Sequence, residues 1–107
     1  MATFNDEREE FITAIRNRFD KLQEVMKDLQ RAGTRDNDME TLHRIERARK
    51  STAEKGEAVQ MLLDEAREVE DEEDWPDARQ RLEAAWQEYS EAVDRARLEM
   101  ERAEELS

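Results

Sequence analysis

Residues 82–103 read LEAAWQEYSEAVDRARLEMERA. Leu82, Trp86, Tyr89, Val93, Ala96, Met100 and Ala103 follow one another at steps of 4, 3, 4, 3, 4 and 3. That spacing lays seven side chains along one stripe of a helix, whereas a strand would scatter them over both faces. A second ladder stands near the N-terminus: Ile12, Ile15, Phe19, Leu22, Met26 and Leu29, at steps of 3, 4, 3, 4 and 3. Two unbroken ladders specify helices that pack along a seam.

The composition alone points elsewhere. The chain has 107 residues, is 45% charged and 36% hydrophobic, and carries a net charge of −12. Such figures ordinarily accompany disorder. Regular placement of the apolar residues removes that reading and assigns the charge to solvated faces. Two glycines and one proline leave too few turns for an all-β fold. Absence of cysteine excludes a disulfide scaffold and thiolate-bound zinc. No run of about 18 apolar residues exists, so no membrane span is expected. Met1–Glu10 is acidic without an apolar core, which does not resemble a signal peptide, and the expected location is the cytoplasm.

Two interruptions divide the chain. In the first, Ala32-Gly33-Thr34-Arg35-Asp36-Asn37, Gly33 suits the left-handed residue that closes a helix. Asn37 then offers an N-cap, with Glu40 as its capping-box partner. In the second, Asp74-Trp75-Pro76-Asp77, Pro76 fits the first turn of a helix and Asp74 or Trp75 the cap. The expectation is an all-α, antiparallel three-helix bundle with coiled-coil-like packing, a single domain over 1–107. Its helices run roughly 5–32, 37–72 and 76–105, and short connections make neighbours antiparallel.

The second helix has the weakest seam: Leu42, Ile45, Arg49, Thr52, Gly56, Val59, Leu63 and Ala66. Gly56 in a helix interior costs about 1 kcal/mol relative to alanine. Either it makes room for a facing aromatic such as Phe19 or Trp86, or the helix breaks near Ser51–Gly56. The continuous helix is preferred. Apolar residues also exceed one seam. Phe4, Phe11 and Val25 flank the first ladder, and Ala78, Leu82, Ala85 and Ala92 form a second row on the third helix. A small chain with spare apolar rows gains core by pairing, so a homodimer is expected.

Charge is unevenly placed. Residues 62–77 hold nine acids against the single base Arg67, net −8. The block Glu70, Asp71, Glu72, Glu73, Asp74 and Asp77 sits where a helix C-terminus disfavours negative charge. It is either a solvated corner or a docking surface for a protein partner with a basic face. Trp75 within it either staples the third helix or stands exposed as an anchor for that partner. Arg44, Arg47, Arg49 and Lys50 form a short basic stretch. It has no interleaved aromatics, and the net charge repels phosphates, so no direct nucleic-acid binding is expected.

Catalytic signals are missing. Ser51, Ser90 and Ser107 lie in no nucleophile-elbow context, and no glycine-rich phosphate loop occurs. Glu40-Thr41-Leu42-His43 has the Glu-x-x-His spacing found in di-iron helical bundles, but one copy supplies too few ligands unless an oligomer completes the site. Trp86 and Tyr89 are expected as core anchors. The sequence is therefore read as a non-enzymatic, cofactor-free interaction module: an adaptor, assembly factor or small chaperone. The alternatives are an acidic nucleic-acid mimic that inhibits a DNA- or RNA-binding protein, and an oligomeric metal-binding bundle using Glu40 and His43.

Overall fold

The computed structural model describes residues 3–32 and 39–106. Helix α1 spans Phe4–Ala32, α2 spans Met39–Arg67 and α3 spans Trp75–Leu106, with a 3-10 turn at Glu72–Asp74 before α3. They form an elongated three-helix bundle, 56 Å in its longest extent. The direction of each helix follows from its partners. Phe19 and Gly56 meet at one level of the bundle, and Arg8 meets Val69 at another, so α1 and α2 are antiparallel. Phe4 and Phe11 meet Trp75, and Phe19 meets Tyr89, so α1 and α3 are parallel.

The ladders become the core. Ile12, Ile15, Phe19 and Met26 of α1 are buried together with Val59, Leu63 and Ala66 of α2. Leu82, Tyr89, Val93 and Ala96 of α3 complete the main cluster. Ile45 and Met100 form a smaller cluster towards the other end. Leu22 and Trp86 pack against the main cluster but stay half-buried. The side chains of Leu29 and Ala103, the last rungs of the two ladders, lie outside the described residues, as do Gly33 and Asn37 with their expected capping roles.

Helix α2 is continuous through Ser51–Gly56. Its polar middle is accommodated locally. Thr52 is buried, donates to the Ala48 carbonyl at 2.8 Å and lies 3.4 Å from the Ala92 carbonyl, so its hydroxyl is not stranded in the core. Gly56 receives an aromatic, as its position suggested, but that ring is Tyr89 rather than Trp86, with Phe19 beside it.

The end of α2 is the main departure from the expected boundaries. The helix stops at Arg67 instead of continuing to about residue 72. Arg67 is a cation in the last turn, where the dipole favours one. Continuing would have added Glu68, Glu70 and Asp71 to the negative end of that dipole. Instead the Glu68 and Val69 amides donate to the carbonyls of Glu65 and Ala66, three residues back, tightening the final turn. Asp71 is extended (φ −96°, ψ 130°) and leads into the 3-10 turn, where the Asp74 amide donates to the Asp71 carbonyl at 3.0 Å. At the other end of the chain, Thr3 and Asp6 exchange hydrogen bonds between backbone amide and side chain, both 3.2 Å, and cap α1.

Candidate functional site: the acidic junction between α2 and α3

The acidic block is held by aromatic packing from the inside. Trp75, the first residue of α3, is 5% exposed. Its indole meets the Phe4 ring at 6.3 Å and the Phe11 ring at 5.8 Å between centroids, both edge-on. Edge-to-face pairs of this kind contribute about 0.5–1.5 kcal/mol each beyond their buried area. Trp75 is thus an anchor of the bundle and not a surface anchor for a partner. Phe4 and Phe11, which looked like a spare row in the sequence, are taken up by it.

Two arginines cover this aromatic group. The Arg79 guanidinium lies 4.7 Å from the Phe11 ring centroid and also pairs with Glu83 at 3.1 Å. The Arg8 guanidinium lies 5.6 Å from the Phe4 centroid and donates to the Val69 carbonyl. That last bond joins the first turns of α1 to the non-helical residues after α2. Neither arginine was singled out in the sequence. For Arg8 the available signal was its spacing, four residues after Phe4, a distance at which helical side chains meet; Arg79 and Phe11 come from different helices and carry no such signal.

Around this fixed core the carboxylates face solvent. Glu68, Glu70, Asp71, Glu72, Glu73, Asp74 and Asp77 are all exposed. Asp77 pairs with Arg81 at 3.3 Å. Glu70, Asp71, Glu72, Glu73 and Asp74 make no ion pair among the described residues. The structure leaves six of the seven sequence-predicted site residues exposed, with Glu73, Asp74 and Asp77 beside one cleft, and turns the seventh, Trp75, inward. Such an arrangement offers charge and hydrogen-bond acceptors to an approaching surface. A cleft of about 260 Å³ beside it, floored by Leu62, Val69 and Ala78, is bordered by Glu73, Asp74 and Asp77.

The other candidates stand apart from this end. His43 is exposed, and Glu40 binds Arg44 at 3.1 Å on the same helix. Among the described residues no group of three or more His, Cys, Asp or Glu could hold a metal ion. Arg44, Arg47 and Lys50 are exposed, and Arg49 is half-buried beside Thr52 and Gly56. Tyr89 is buried, and burial raises its phenol above the usual tyrosine range by penalising the charged form. No helix among the described residues is long and apolar enough to cross a membrane.

No family model, curated protein or solved structure matches the chain.

Proposed function

We propose that the chain is a non-enzymatic protein–protein interaction module, an adaptor, assembly factor or small chaperone, that docks a partner with a basic surface through its acidic junction. One observation carries this reading. A segment holding five exposed carboxylates that make no ion pair among the described residues is fixed from beneath by Trp75, Phe4, Phe11 and Arg8. Like charges so close together repel one another, and the positive end of the α3 dipole offsets that only for the acids next to Trp75, not for Glu70 and Asp71. Holding them in place lowers the entropy lost when a cationic surface binds them. Exposed charges of this kind act mainly through the association rate.

The test is a pull-down followed by binding kinetics with the captured partner at low and high salt. Screening beyond about 8–10 Å should make association fall steeply as salt rises. Replacing Glu70, Glu72 and Glu73 together with glutamine should slow association and leave dissociation nearly unchanged. Unchanged association rates at low salt would reject the acidic end as a docking surface. A nucleic-acid-binding protein as the captured partner would favour the mimicry alternative over an adaptor role.

A further inference from the structure

The cleft at the acidic end is floored by apolar side chains that solvent still reaches. Leu62 in α2, Val69 after it and Ala78 in the first turns of α3 form that floor, and all three are half-buried. Ala78 belongs to the second apolar row of α3, and its single methyl leaves the floor recessed. The bond from Arg8 to the Val69 carbonyl and the burial of Trp75 hold the segment on either side, so the floor is set before a partner arrives.

Glu65, Glu73, Asp74 and Asp77 border the floor, from the end of α2, the 3-10 turn and the start of α3. The one base among the lining residues is Arg81, and it pairs with Asp77 at 3.3 Å. Glu65, Glu73 and Asp74 make no ion pair among the described residues. The cleft thus carries a surplus of three carboxylates over a floor of hydrocarbon. Its volume, about 260 Å³, falls below the roughly 300–1,000 Å³ of sites for small molecules and suits a single side chain.

We propose that this cleft receives one arginine side chain of the basic partner, with the stem on Leu62, Val69 and Ala78 and the guanidinium among Glu65, Glu73 and Asp74. Charge alone would not select a side chain, because any cation answers a carboxylate. The open floor selects one with an apolar stem below its charge, since arginine and lysine both lay their methylenes on apolar surface. Carboxylates arriving from three elements then select arginine. Its planar fork offers five donors in different directions and is more weakly hydrated than an ammonium. The inference rests on the acidic junction being a docking surface. It adds that the filled cleft sets dissociation, whereas the exposed acids set association.

The experiment is an NMR titration of the full chain with N-acetyl-arginine amide at constant ionic strength. N-acetyl-lysine amide and guanidinium chloride are the comparisons. The arginine probe should shift the methyl signals of Leu62, Val69 and Ala78 saturably, with a Kd on the order of 1–10 mM for so small a ligand. Guanidinium lacks the stem and should bind about tenfold more weakly, and the lysine probe at least about threefold more weakly. Ala78→Leu fills the floor and leaves every charge in place, so it should weaken the arginine probe about tenfold. If that variant disturbs the fold, Val69→Thr makes the floor polar at nearly the same volume and should act in the same direction. Neither variant shares a residue with the triple glutamine variant, so the two readings fail separately. Salt-dependent docking with no probe in the cleft removes this inference and leaves the docking surface. Probe in the cleft, with docking rates indifferent to the glutamines, does the reverse. The proposal is overturned by shifts that do not saturate by about 50 mM. So is it by guanidinium or the lysine probe binding as tightly as arginine, or by folded floor variants that bind it unchanged.

Discussion

A Cβ built on Gly56 would lie 3.2 Å from Cε2 of Tyr89, closer than most side chains approach one another. The Tyr89 ring fills the missing side chain of α2 and is backed by Phe19 at 5.1 Å between centroids. Gly56→Ala brings a helix-propensity gain of about 1 kcal/mol. It also forces a buried ring to move, so the variant should be neutral to destabilised. Gly56→Leu has no room and should cost about 1–3 kcal/mol through overpacking. Chemical denaturation measures both, and a full 1 kcal/mol stabilisation by alanine would show that Tyr89 is free to shift.

Trp75 and Trp86 should separate clearly on substitution. Trp75 is enclosed by Phe4 and Phe11, so Trp75→Ala should cost about 3–5 kcal/mol, the range for removing a core aromatic. Trp86, expected from its ladder as a core anchor, is half-buried, and Trp86→Ala should cost about half as much, in proportion to the area it buries. Thermal unfolding of the two variants decides the order. A larger loss for Trp86 would contradict the packing at the acidic junction.

Tyr89 predicts an alkaline limit to stability. Its folded pKa is raised by burial, so the neutral phenol is favoured in the native state. The resulting stabilisation is complete below the unfolded value of about 10 and is lost as pH rises through the folded value. Stability should therefore decline above about pH 10, and Tyr89→Phe should remove that part of the decline. The chain has one tyrosine, so its ultraviolet titration reports this group directly.

His43→Ala should leave folding and helix content unchanged, because the imidazole is exposed. The same substitution addresses the metal-binding alternative. Stoichiometric iron, zinc or manganese in purified protein, lost in this variant, would establish a role for Glu40 and His43 that the Glu40–Arg44 ion pair does not suggest.

The acidic site was only partly legible before the fold. Its charge excess is a local count, and the structure leaves all six of its acids exposed. Its backbone was misplaced, because the helix was expected to reach about residue 72 and stops at Arg67. Periodicity records which residues could share a face, but the dipole and the repulsion among Glu68, Glu70 and Asp71 determine where the hydrogen-bonded turns end.

The sequence by itself determined three helices, their antiparallel order and nearly every buried rung. That information is local: a step of three or four residues puts side chains on one stripe whatever the stripe later meets. Only the tertiary structure decided which aromatic fills a given gap. Tyr89 rather than Trp86 covers Gly56 because that choice depends on the axial offset and rotation of α3 against α2. Trp75 turns inward because Phe4 and Phe11, more than sixty residues away in the chain, arrive at the same end of the bundle. Axial offset and rotation are fixed jointly by all three interlocking surfaces, so no single stretch of sequence encodes them.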